Sequence, residues 1–284
     1  MLAPAGLVAR ARRWRYLFPP RTTPPALVPA IMIGYMVNNV LPLRAGEFVR
    51  VYVVARRWGG HFWTAAATLI IERVLDSICI VLMLGILIFL IDVPRIIEVA
   101  AIGMLIVDVA GVSLLIAMAV APDRCLAVIG RLTRRWPRLH GRVVNAADRF
   151  LHGLDGIRAP THVLPVLMWT VVVWCLAALS AWTALKAADL HLPVLAGWVV
   201  LTFVGLGVSV PSAPGYVGVF QFAARLATDL FGVSAAAGLG YGIVFHASQF
   251  IPVTLLGWGY LLREHMSLGE VTHITPAETP PPSR

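Results

Sequence analysis

Four stretches of this 284-residue chain are long and apolar enough to cross a bilayer as helices: Phe62–Ile91, Ile97–Ala121, His162–Ala187 and Ala235–Leu262. A spanning helix needs about 20 consecutive apolar residues, because hydrocarbon offers the backbone no hydrogen-bond partners. The rest of the chain agrees: 59% of residues are hydrophobic and 13% charged, where a soluble domain carries about 25% charged. A soluble domain is excluded. The expectation is an all-α, polytopic membrane helix bundle.

Two further apolar segments are interrupted. Ala26–Leu43 runs into Asn38-Asn39-Val40-Leu41-Pro42-Leu43-Arg44-Ala45-Gly46-Glu47. Val194–Val210 runs into Pro211-Ser212-Ala213-Pro214-Gly215. Prolines remove backbone donors and break the helix, which membranes tolerate only where protein or a cavity takes up the freed groups.

Charge decides how these segments lie. The net charge of +9 comes from arginine, since Lys186 is the only lysine. The linker 122–161 carries Arg124, Arg131, Arg134, Arg135, Arg138, Arg142, Arg149 and Arg158, and the N-terminus carries Arg10, Arg12, Arg13, Arg15 and Arg21. The positive-inside rule puts both in the cytoplasm. With Arg56 and Arg57 also inside, the segment from Ala26 to Arg57 must begin and end on one side. The same bookkeeping makes the segment from Val194 to Phe231 begin and end outside. Both read as broken or re-entrant hairpins that enter from opposite faces, the pattern of an inverted-repeat transporter; the bland alternative is that Val194–Val210 is an ordinary full span with a kinked exit. A weak echo joins them: Leu41-Pro42, Gly46-Glu47 and Arg50 against Val210-Pro211, Gly215, Gln221 and Arg225.

Residues 1–25 are expected to be a basic cytoplasmic segment and 26–266 the transmembrane domain. A Pro- and Thr-rich tail over 267–284 has the composition of disorder. Within the linker, Leu126, Ile129, Leu132, Leu139 and Val143 recur at near-helical spacing among arginines, as in an amphipathic surface helix.

Polar groups at membrane depth are costly unless they face protein, water or a ligand. Asn38, Asn39, Arg44, Glu47 and Arg50 are therefore candidate binding residues. A guanidinium matches phosphate in bidentate fashion, and Glu47 would balance Arg44 when no ligand is bound or carry a proton. The bland alternative is a structural knot, with Arg44 paired to Glu47 and the two amides capping freed backbone. Glu72, Arg73 and Asp76 lie inside a span, with both carboxylates on one helical face at i,i+4. They form a candidate charge network that Arg44 or Arg50 would join. Pro211, Pro214, Gly215 and Gln221 mark the second break, where exposed amides at a half-helix start would suit an anion. Asp108, His246 and Gln249 stand alone in apolar spans. A lone His or Gln is more often a satisfied bundle contact.

Cys79, Cys125 and Cys175 have neither disulfide nor metal spacing. No His-Glu-x-x-His pair and no nucleotide-binding glycine loop occurs, and Gly207-Val208-Ser209 lacks the last glycine of a nucleophile elbow. The expectation is a protein that is not an enzyme and needs no metal or cofactor. The basic balance is better explained by anionic lipid and topology than by nucleic acid.

Three ordered motifs carry a resemblance: Gly34-Tyr35 with Asn38 to Arg50, then Glu72-Arg73-Val74-Leu75-Asp76, then Val210 to Phe220. Through them the chain resembles the lysylphosphatidylglycerol synthase transmembrane, or flippase-like, family over roughly residues 10–265. The resemblance implies a bacterial plasma (inner) membrane protein that moves lipids or lipid-linked sugars between leaflets. Some relatives fuse this unit to a soluble aminoacyl-transferase domain, which is missing here, so that activity is not carried over. Relatives usually begin with two further spans, and Ala9 to Leu17 looks like the exit of the second. The leading expectation is a translocase for an anionic phospholipid or polyprenyl-phosphate-linked sugar. The alternative is a non-catalytic membrane partner presenting lipid to a separate transferase.

Overall fold

The computed structural model describes residues 2–42, 44–59, 61–209, 213–266 and 269. Pro211 and, Gly269 apart, the tail over 267–284 lie outside the described residues. The described residues are helical throughout, without strands. The four expected spans appear as α4 (Phe62–Leu90), α5 (Arg95–Val120), α9 (Pro160–Ala187) and α12 (Ala235–Arg263). Each end falls within two residues of its expected position. The fold is a polytopic helical membrane bundle.

The interrupted segments form two pairs of short helices. The first pair is α2 (Leu27–Val40) and α3 (Ala45–Arg57), the second α10 (Val194–Ser209) and α11 (Val219–Asp229). With 14, 13, 16 and 11 residues, and a rise of 1.5 Å per residue, they are about 16–24 Å long, against a hydrocarbon core of about 30 Å. None is long enough to cross alone without thinning of the bilayer. In the first pair the chain reverses at Pro42 and Arg44. Arg44 takes a left-handed backbone (φ 56°), and Asn38 Oδ1 accepts the Gly46 N–H at 2.8 Å, tying the two helices together. In the second pair a 3-10 turn over Pro214–Tyr216 leads into α11.

Helix α1 (Leu2–Arg15) is packed within the bundle, against α9 and α2. Trp14, Leu17 and Phe18 are fully buried, and Trp14 Nε1 donates to Thr68 Oγ1 at 2.9 Å. The reason is chemical: Arg10 and Arg13 lie one turn apart on α1 and find the carboxylates of α4. The linker is also more structured than a single surface helix. It folds as α6 (Pro122–Thr133), α7 (Pro137–Gly153) and the single turn α8 (Asp155–Arg158). Leu132, Leu139 and Val143 stay exposed, while Leu151 and Leu154 bury against the bundle.

Two apolar cores result. One gathers α1, α2, α3 and the first half of α4, and takes in Val253 and Leu261 from the far end of α12. The other gathers α10, α11, the second half of α9 and the first half of α12, and takes in Leu87 from the far end of α4. Some neighbour relations correspond under exchange of α1–α4 with α9–α12, although α2 packs far more extensively on α12 than α10 does on α4. Helix α2 lies on α12 as α10 lies on α4, and α1 lies on its counterpart α9. Tyr16, just past the end of α1, meets His162 at the start of α9 with ring centroids 5.8 Å apart, so these counterparts run antiparallel.

A candidate polar site where two broken helices meet

Helix α4 presents Glu72 and Asp76 one turn apart, and both are buried. Glu72 receives Arg50 of α3 in a direct hydrogen bond. Arg13 and Arg73 each lie 3.2 Å from its Oε1, and Arg10 lies 3.8 Å away. Asp76 is bound by Arg10 at 2.7 Å, Arg13 at 2.8 Å and Arg73 at 3.3 Å. Arg73 also reaches Glu47 at 3.6 Å, and Glu47 stands 3.9 Å from Arg44. The Arg50 guanidinium lies 3.9 Å above the Trp14 ring, a close cation–π contact. Arg50 thus joins the network of Glu72, Arg73 and Asp76, and Arg44 is linked to it only through Glu47.

The charges do not cancel. Among the described residues, five guanidinium groups (Arg10, Arg13, Arg44, Arg50 and Arg73) face three carboxylates (Glu47, Glu72 and Asp76), an excess of two positive charges. Among the described residues, the Nε atoms of Arg13, Arg44, Arg50 and Arg73 are buried without a hydrogen-bond partner. Uncompensated charge and idle donors inside a membrane bundle are expensive.

The two breaks touch. Arg44 Nη2 donates to the Val208 carbonyl at the end of α10 at 2.8 Å, and its guanidinium lies 6.0 Å from the Tyr216 ring centroid. Gly215 has a left-handed backbone (φ 64°), and a Cβ there would sit 2.8 Å from the Phe250 ring and 3.1 Å from the Asn39 carbonyl oxygen. Only glycine suits both the conformation and the space.

The other candidate residues do different work. Asn38 and Asn39 are taken up by the fold: Asn38 ties α2 to Gly46, and Asn39 Nδ2 donates to Thr254 Oγ1 of α12 at 2.8 Å. Pro214 opens the 3-10 turn. Gln221 is not turned to the arginines. Its Oε1 accepts the Gly218 N–H at 2.7 Å, and its Nε2 lies 2.8 Å from His246 Nδ1. His246 and Gln249 are satisfied bundle contacts, the latter donating to Ser180 Oγ at 2.7 Å. Asp108 is buried, and its Oδ2 has no partner among the described residues. Arg10 and Arg13 are the site residues that sequence reasoning missed. Their signal was present as two arginines at i,i+3 beside a tryptophan, matching two acids at i,i+4.

The fold and site define a polytopic helical membrane protein built around two broken helix pairs. Residues 1–257 match the family model described as the lysylphosphatidylglycerol synthase TM region, and the chain belongs to that family. It is 25% identical over 252 residues to a UPF0104 membrane protein of Methanothermobacter thermautotrophicus, covering 81% of this chain and 73% of that protein. It is 28% identical over 276 residues to a protein of Haloferax volcanii named glycosyltransferase AglD, covering 85% of this chain and 44% of that protein. The chain therefore spans less than half the length of the second relative. No solved structure matches it.

Proposed function

We propose that this protein is a translocase, not an enzyme, for an anionic phospholipid or a polyprenyl-phosphate-linked sugar in a bacterial plasma membrane. The observation that carries this reading is an excess of two positive charges, contributed by the partly exposed Arg10, Arg44 and Arg73 against Glu47, beside buried guanidinium Nε donors without a partner among the described residues. A phosphate supplies the missing negative charge and accepts those donors, and arginine binds it in bidentate geometry. Glu47, which bridges Arg44 and Arg73, is the carboxylate that an arriving phosphate displaces.

The two short helix pairs support the transport step. Each is the broken element that transporters place around a midplane site. In this reading both are re-entrant, the first opening to the cytoplasm and the second to the outside. The head group passes between them while the apolar tail stays in the bilayer.

The test is leaflet exchange of fluorescent phosphatidylglycerol and polyprenyl-phosphate-sugar analogues in proteoliposomes of the full chain. Movement that falls to background in Arg44→Ala and Glu47→Gln, with both variants folded, supports the reading. Movement equal to protein-free vesicles, from folded wild type, overturns it. A second reading draws on the longer relative named a glycosyltransferase: a membrane partner that presents lipid to a separate transferase. It requires charge reversal over Arg131, Arg134, Arg135 and Arg142 to be the damaging change.

A further inference from the structure

The polar cluster uses the α3–α4 interface of the first half. Its counterpart in the second half lies between α11 and α12, which pack closely along their inner faces and leave their outer side uncovered. A groove of about 570 Å³ runs there, walled by Val217, Phe222, Leu239 and Ile243, with Gln221 and Arg225 along its length. The four apolar residues are exposed, and α12 is one of the spans, so the groove opens towards lipid. Arg225 also is exposed, and it makes no ion pair among the described residues. Its stem lies across Gly238 of α12, where an added Cβ would come within 3.4 Å of the Arg225 Cα and 3.5 Å of its Cγ. Gln221 is locked by Gly218 and His246, which gives the groove a fixed polar wall.

We infer that this groove is a second lipid site, in which a phosphate binds Arg225 and one hydrocarbon chain of the same anionic lipid lies along Phe222, Leu239 and Ile243. Charge complementarity selects the occupant: one free cation stands beside an apolar trough facing the bilayer, and juxtamembrane arginines attract anionic head groups. Position in the repeat is a second argument. The interface that holds Arg50 and Arg73 in the first half holds Arg225 in the second. The site rests on the proposed translocase reading, in which it is the station on the outer side. The arginine cluster is the station on the inner side.

The experiment uses the full chain in nanodiscs with two photoreactive probes carrying identical chains, phosphatidylglycerol and the phosphate-free diacylglycerol. Labelled peptides are mapped by mass spectrometry. The expected result is phosphatidylglycerol labelling on Phe222, Leu239 or Ile243, several times that of diacylglycerol. It should fall about fivefold in Arg225→Gln and return in Arg225→Lys. Equal labelling by both probes, or no change in Arg225→Gln, overturns the site. So does protection of the groove by a second copy of the chain. Leaflet exchange in the same samples separates the two proposals. Exchange that still needs Arg44, with labelling indifferent to Arg225, sinks the groove alone. Arg225-dependent labelling without any exchange supports a resident lipid site and sinks the translocase.

Discussion

Gly34 and Gly46 cross so closely that a Cβ on Gly46 would fall 1.8 Å from the Gly34 carbonyl oxygen. No side chain fits there, because the obstacle is backbone and cannot rotate away. Gly46→Ala should therefore splay α2 from α3 and cost about 3 kcal/mol or more. Gly240→Ala on α12, where nothing lies within 4 Å, should stay within about 0.5 kcal/mol of wild type. Thermal melts in detergent read both. Equal midpoints would mean that the first helix pair does not hold its observed geometry.

The arginine cluster should respond asymmetrically to loss of charge. Glu72→Gln raises the excess from two positive charges to three and strands Arg50, so a loss of about 3–5 kcal/mol is expected. Arg10→Gln lowers the excess to one and removes a side chain that is 17% exposed. It should cost about 1 kcal/mol, as for a partly solvated pair. A larger loss in Arg10→Gln would show that the positive excess carries no strain.

Inorganic phosphate should stabilise the protein against heat when compared with chloride at matched ionic strength. A ligand at a hundred times its dissociation constant contributes about 2.7 kcal/mol. The increment should shrink in Arg44→Ala, which removes one of the two most exposed guanidinium groups of the cluster. A midpoint indifferent to phosphate in the wild type would argue against an anion site.

Within a span, Asp108 carries a buried oxygen that has no partner among the described residues. Asp108→Asn or Asp108→Leu should raise the melting midpoint, with a gain of about 1–3 kcal/mol from relieving the unsatisfied group. A fall in stability would reveal a partner for this carboxylate in the membrane.

Much of the architecture was legible in the sequence because hydropathy and proline are local signals. The ends of α4, α5, α9 and α12 follow from where apolar residues stop, and Pro42 marks where α2 cannot continue. The charge network was legible in part: Glu72 and Asp76 share a face at i,i+4, and Arg50 was a named candidate partner. Arg10 and Arg13 were not legible as partners. They lie 59 to 66 residues from the acids they bind, and an N-terminal arginine run reads equally well as a topology signal. The contacts of Gln221 were not legible for a similar reason. Its neighbour His246 is 25 residues away, and only the packing of α11 on α12 brings them together.

Arg44 has one further consequence. It shapes the turn of the first pair and supplies the donor that satisfies the Val208 carbonyl at the end of the second. A head group that captures this guanidinium orphans that carbonyl, and an orphaned carbonyl in a bilayer must find another donor or move. In the proposed translocase reading, occupancy of one half is communicated to the other through the Arg44 guanidinium. A substrate rich in hydroxyls can answer that demand itself, whereas one without them has to leave it to the protein.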